Sequence, residues 1–398
     1  MKEHDLRVAG FVFGAVKSGI RGKDRLDLAL IACSTPATAA AVFTTSQVKA
    51  APVLLGIERI KSGLAQAILV NSGIANACTG EEGMVKARGA AAAAALALGI
   101  DEELVQVSST GVIGQQLEMS CFDHLPRLVE SLGPDQAMDV ARAMMTTDTV
   151  PKTAVRRLSI NGSPLTILGM TKGAGMIQPN MATMLAYLMT DAAVSSPVLQ
   201  QILAKGVDQS FNKITVDGDT STNDTVLLLA SGKAGNQEIN DPNSTEAALL
   251  QEAINDLTRD LALQIVADGE GATKLVAILV EGARSDHEAE LAARTVANSP
   301  LVKTAFFGQD ANWGRIIAAL GRSGIAFEQT AVDILFDEAK IVGNGLWLGT
   351  EAEQKATAVL QKKAFSVVIH LHQGPGTCTI FTCDLSIDYV KINADYRS

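Results

Sequence analysis

Few residue patterns in this sequence can support bond-making chemistry, and most fail once their spacing is counted. There is no His-Glu-x-x-His, and Gly321-Arg322-Ser323-Gly324 lacks the spacing of a hydrolase nucleophile elbow. His370 and His372 sit two residues apart on one expected strand face, and without a third ligand such a pair is ordinarily structural. Cys33, Cys78, Cys121, Cys378 and Cys383 show no C-x-x-C spacing and form no zinc pattern, so no metal is expected. Gly173-Ala174-Gly175 and Gly269-Glu270-Gly271 do not complete G-x-G-x-x-G, and no Walker loop is present. Asp217-Gly218-Asp219 with Asp224 lacks the glutamate of a calcium loop, and its acids read as turn and supporting residues.

Acyl or hydrolytic chemistry would then need a hydroxyl activated by something other than histidine. A threonine at a chain N-terminus meets that need, because its own α-amine, with an unperturbed pKa of about 7.7 to 8, can take the hydroxyl proton. The chain must first be cut in front of it. Ala182-Thr183 fits such a cut: a small residue precedes a β-hydroxyl, and Pro179-Asn180 restricts the approach. By pattern alone, a threonine opening a strand is ordinarily just a strand residue.

The elements that must hold these residues alternate between strands and helices. Apolar, β-prone runs at 28–33, 39–44 and 67–70 read as buried strands, and 81–98 and 134–145 as helices. Runs 153–160 and 164–170 flank Asn161-Gly162, a hairpin signal, and the glycine-rich loop from Lys172 enters a strand ending at Met189. Segments 196–211, 245–267 and 288–298 read as helices, and 225–230 and 275–281 as strands. A glycine-rich segment surrounds Trp313, and a terminal hairpin is expected from 366–371 and 377–384 around Gly374-Pro375-Gly376.

The chain of 398 residues carries a formal charge of −10, which argues against a nucleic-acid or anionic-membrane partner and for a small one. With 47% hydrophobic and 19% charged residues it can bury a full core. The longest apolar stretch, 89–100, is about half the ~20 residues of a bilayer span and reads as a closely packed internal helix. No secretion signal follows Met-Lys-Glu-His-Asp-Leu-Arg, so a cytoplasmic location is expected.

The run Lys172-Gly-Ala-Gly-Met-Ile-Gln-Pro-Asn-Met-Ala-Thr-Met-Leu185 closely resembles the cleavage motif of the ornithine acetyltransferase family, the bifunctional glutamate N-acetyltransferases of arginine biosynthesis. Segments 108–114, 145–149, 217–224, 309–315 and 393–398 also resemble family blocks, in family order across nearly the whole chain. In Asn71-Ser72-Gly73-Ile74-Ala75-Asn76-Ala77, isoleucine stands at 74 where the family usually carries asparagine.

The resemblance implies an α+β fold, a layered helix-sheet-sheet-helix sandwich with a second, smaller α/β portion beginning near residue 282. It implies self-cleavage between Ala182 and Thr183 into chains 1–182 and 183–398, two of each in the assembly. Thr183 would carry acetyl from N-acetylornithine to glutamate in ping-pong fashion, without a cofactor and with acetyl-CoA as an open further donor. Thr110 and Gly111 match the oxyanion pair. Thr149, Lys172, Thr183, Glu270, Asn393 and Ser398 match substrate-binding positions, Lys172 toward an α-carboxylate and Glu270 toward a cationic amine. A self-processing N-terminal-nucleophile aminopeptidase or amidase is the alternative.

Overall fold

Near-continuous apolar runs on the strands build the first sheet system, because successive side chains leave opposite faces and both faces are covered. The computed structural model describes residues 5–22, 24–178 and 184–395, which form two compact units. One draws on residues up to Asn212 and on Asp219–Ile265, the other on Lys213–Gly218 and the chain from Val266 onward.

The first unit contains β1 (Phe11–Val16), β2 (Leu28–Phe43), α1 (Ala51–Arg59), β3 (Leu64–Ile74), α2 (Gly80–Leu98), β4 (Val105–Val112), α3 (Leu125–Glu130) and α4 (Ala137–Ala143). It continues with β5 (Lys152–Ile160), β6 (Ser163–Lys172), β7 (Leu185–Thr190), α5 (Ser196–Gln209), β8 (Thr225–Ala230) and α6 (Thr245–Ala267), within which the unit boundary falls. Strand order is β4-β3-β2-β8-β7-β6-β5, with β1 paired only to β2. The first half of β2 pairs with β1 and its second half with β8, so one strand serves two layers. Between the halves, pairing to β3 skips from Ala32 to Ala37 and residues 34–36 are exposed. The two runs expected as separate strands are thus one bulged strand, its Pro36 sitting at the interruption where no ladder donor is needed.

Between the layers lie Ala29 and Ile31 of β2, Ile68 and Val70 of β3, Leu168 and Met170 of β6, Tyr187 and Met189 of β7, and Leu227 and Leu229 of β8. The alternate residues Leu28, Leu30, Ala67, Leu69, Val105 and Val107 face Ala87, Ala90, Ala91, Ala94 and Ala95 of α2. On the other side, Gly169 leaves room for Leu257 and Leu261 of α6, and Gln200 of α5 bonds both the N–H and the carbonyl of Ala41. The order is helix, sheet, sheet, helix, the layered α+β sandwich expected. Helix α2 is a cover rather than an internal helix: its alanines pack inward while Leu96 is 86% exposed.

The β5–β6 hairpin is present, with Ile160 opposite Ser163 and Asn161 and Gly162 at φ +52° and +84°, as its two-residue turn requires. The helix expected over 134–145 is the shorter α4.

In the second unit, β9 (Leu275–Ala283), α7 (Asp286–Ala297), α8 (Pro300–Phe307), α9 (Trp313–Gly321), β10 (Asp333–Phe336), β11 (Ala339–Gly343), β12 (Leu346–Trp347), α10 (Thr350–Val359), β13 (Ala364–His370), β14 (Gly376–Cys383) and α11 (Ile387–Asp395) follow in order. Strand order is β12-β11-β10-β13-β9-β14. The expected terminal hairpin is therefore wrong: β9 lies between β13 and β14, parallel to one and antiparallel to the other. Its glycines serve close backbone approach instead, since a Cβ at Gly374 or Gly376 would lie 2.6 Å from the Ala283 carbonyl oxygen or 2.3 Å from Ser285 backbone atoms. The segment around Trp313 is helix α9, capped by the Asn312 side chain accepting from the Arg315 N–H.

Candidate active site

The parallel strands β3 and β4 end together, Ser72 opposite Thr110 and Gly73 opposite Gly111. Gly111 has φ +132°, and a Cβ there would lie 2.2 Å from the Gly73 carbonyl carbon, so no other residue fits without moving backbone. Asn223 ties the same strand ends from the other side, its amide donating to the carbonyls of Ala75 (2.6 Å) and Ser109 (2.8 Å). Asn71 adds a bond to the Ile74 carbonyl (2.9 Å) and accepts from the Ser109 hydroxyl (2.6 Å). Ile74 itself packs in the core with Leu69 and Val107. The departure at this position thus supplies apolar packing.

Lys172, the last residue of β6, reaches into this strand end. Only 7% exposed, it donates to Thr110 Oγ1 (3.3 Å) and Thr146 Oγ1 (2.7 Å). A lysine ammonium can only donate, so Thr110 Oγ1 is the acceptor and keeps its own proton for another acceptor.

Behind the lysine lies Asp148. One carboxylate oxygen accepts from Lys152 Nζ and from the Gly173 N–H, each at 2.7 Å, and the other from the Thr146 N–H at 2.9 Å. Burial alone would raise its pKa, but the charges of Lys172 and Lys152, with the Lys152 and Gly173 hydrogen bonds, pull it down to about 2. Asp148 is therefore a fixed anion that orients Thr146, the start of the loop after Lys172, and the buried Lys152.

Among the expected site residues, Thr110, Gly111 and Lys172 come together here. Thr149 lies exposed on the loop between α4 and β5. In the second unit, Glu270 occupies the turn after α6, is 8% exposed and accepts from Asn393 Nδ2 of α11 at 2.7 Å. Ser386 Oγ donates to the Gly271 carbonyl at 2.6 Å, seating α11 on that turn. Ala182, Thr183 and Ser398 lie outside the described residues. Sequence reasoning did not single out Thr146, Asp148, Lys152 or Asn223. The available signal was a carboxylate and a lysine four apart, a spacing that reads as a solvated pair until the fold buries it.

Among the described residues, no group of three or more His, Cys, Asp or Glu is placed to hold a metal. No described helix is long and apolar enough to cross a membrane.

The profile of the ArgJ family matches residues 12–398. The arginine biosynthesis bifunctional protein ArgJ of Desulfotalea psychrophila is 54% identical over 395 residues, covering 99% of this chain and 100% of that protein. Its namesake from Geobacter sulfurreducens is 52% identical over 394 residues, with the same coverage. A crystal structure of the ArgJ protein of Bacillus halodurans aligns at 44% identity and a TM-score of 0.52, covering 54% of this chain and 100% of the other. The chain belongs to the ArgJ family of arginine biosynthesis, the ornithine acetyltransferases whose motifs it resembles.

Proposed function

We propose that the chain cuts itself between Ala182 and Thr183 and then moves acetyl from N2-acetyl-L-ornithine to L-glutamate through an ester on Thr183. The carrying observation is that Lys172 donates to Thr110 Oγ1, leaving the threonine O–H unspent beside a glycine backbone at a strand end. Two donors converging on a developing oxyanion are what acyl transfer needs. The Bacillus halodurans chain, aligned over its whole length, takes in 54% of this chain, the share that residues 183–398 make.

In cleavage, the Thr183 hydroxyl attacks the Ala182 carbonyl, an N-to-O shift breaks the peptide C–N bond to give an ester and a free amine, and water then hydrolyses the ester, releasing the Ala182 carboxylate and restoring the hydroxyl. In transfer, the same hydroxyl attacks the acetyl carbonyl of the donor. Its proton passes through the amine to the departing ornithine nitrogen, and the acetyl C–N bond breaks as the ester forms. Glutamate's amine then reverses the sequence. Lys172 offers positive charge to an α-carboxylate that donor and acceptor both carry, and Glu270 with Asn393 offers a polar acceptor to a cationic amine. The hydroxyl and amine supply the chemistry without a cofactor. The two chains would remain together, two of each, in the cytoplasm.

Intact-mass measurement and an acetylornithine assay with and without glutamate test the reading. Two polypeptides meeting at 182/183, acetyl trapped on residue 183 and glutamate-dependent consumption are expected. Consumption independent of glutamate would make the chain an amidase, and one uncut, active polypeptide would overturn the mechanism. Glutamate with acetyl-CoA decides whether that donor also serves.

A further inference from the structure

Asp224 stands just before β8, and its side chain is enclosed, with 3% of the residue exposed. Strands β7 and β8 run parallel with Leu185 opposite Thr225, and the Thr225 N–H donates to the Met184 carbonyl at 3.0 Å. This register sets Asp224 beside Met184, the residue that follows position 183. The Met184 backbone faces its carboxyl, while the nearby Thr44 hydroxyl is spent on the Ser221 carbonyl at 3.1 Å. Its Oδ2 is buried and has no hydrogen-bond partner. A buried carboxyl oxygen left unpaired is costly, and such a group in a native fold calls for an explanation.

The acyl-transfer reading above, on which this inference rests, supplies one. Cutting before residue 183, the neighbour of Met184, turns that residue's nitrogen from an amide with one N–H into an amine with further N–H donors. We propose that Asp224 is a positioning residue whose unpartnered oxygen accepts from the amine released at residue 183, turning that amine toward the threonine hydroxyl and away from the ester carbonyl. Burial pushes the Asp224 carboxyl well above the usual carboxylate range, with Met184 and Lys172 opposing. The amine released by the cut therefore meets a carboxyl that keeps its proton more readily than an exposed one does and can share it. The arrangement also guards against a dead end. An O-acetyl ester beside a loose amine rearranges: the amine attacks the ester carbonyl, the C–N bond forms as the C–O bond breaks, and the hydroxyl recovers its proton, leaving acetyl locked as an amide.

The test is Asp224→Asn in the full chain, compared with wild type by intact mass, steady-state kinetics and acetyl stability to hydroxylamine, which removes esters and spares amides. Asparagine keeps an oxygen for Met184 but places a donor where an acceptor stood. The variant is expected to lose about 100-fold in kcat with KM within about twofold, the scale of a misplaced reacting group. It should also inactivate during turnover as hydroxylamine-resistant acetyl accumulates on residue 183. A mature variant with wild-type kcat and no resistant acetyl overturns the inference alone, as does a kcat loss that tracks only a lowered Tm. Wild type remaining uncut overturns the reading and the inference together. Should Asp224→Asn fail to fold, infrared difference spectra of aspartate-labelled uncut Thr183→Ala and mature wild type decide. A change in the buried carboxyl band is expected, and an unchanged band refutes the role.

Discussion

Lys152 and Asp148 form an ion pair at 2.7 Å in which neither side chain has any exposed surface. Removing one member strands the other charge in the interior, which costs about 3 to 5 kcal/mol where such pairs have been broken. Asp148→Ala should therefore lower the unfolding free energy by that order in denaturant titration. A change under about 1 kcal/mol would mean that Lys152 finds another acceptor.

The same carboxylate predicts acid lability. Its folded pKa is lowered from 3.8 to about 2, so the unfolded chain binds the proton more readily. The stabilisation is fully present above about pH 4 and is lost as pH falls toward 2. Unfolding free energies across that window should decline less steeply with pH in Asp148→Asn, which has no proton to take up there. Parallel slopes would remove Asp148 from the acid response.

Thr110→Ala removes one of two proposed oxyanion donors while leaving the β3–β4 register in place. The loss of such a donor raises a barrier by about 2.7 to 4 kcal/mol, so kcat for both acetyl steps should fall about 100- to 1000-fold with KM little changed. A defect confined to KM would refute the assignment. Gly111→Ala should do worse, because its Cβ would sit 2.2 Å from the Gly73 carbonyl carbon and the strand ends must part to admit it. It should lower Tm as well as kcat.

What could be read in advance divides by the range of the interaction. The β5–β6 hairpin was legible because Asn161 and Gly162 carry their left-handed preference locally, α6 because its apolar residues recur at helical spacing, and β8 because it is a short unbroken apolar run. The pairing of β13 with β14 was misread because Gly374 and Gly376 looked like turn residues. Their use is decided by Ala283 and Ser285, about 90 residues earlier in the chain. Thr110 and Lys172 stand 62 residues apart and meet only through the fold. No spacing rule connects them, and they were found through family blocks. Asp148 and Asp224 read as ordinary loop acids because burial, which gives each its character, is a tertiary property.

The Glu270–Asn393 contact supports a prediction about the chain's end. Asn393 Nδ2 donates to Glu270 Oε2 at 2.7 Å and to the Tyr389 carbonyl at 3.0 Å, so it holds the carboxylate from one turn along α11. Asn393→Leu removes the donor at similar volume and leaves Glu270 with one fewer partner for its buried oxygen. If the carboxylate receives a substrate amine, the freed side chain should bind it less well. A hydrogen bond to a charged group is worth about 1.5 to 3 kcal/mol, so KM for acetylornithine should rise about tenfold or more while kcat changes less. Deleting 393–398 should reproduce that rise at least in full. Unchanged kinetics in both variants would remove Asn393 and Ser398 from the substrate-binding set and leave Glu270 to be tested alone by Glu270→Gln.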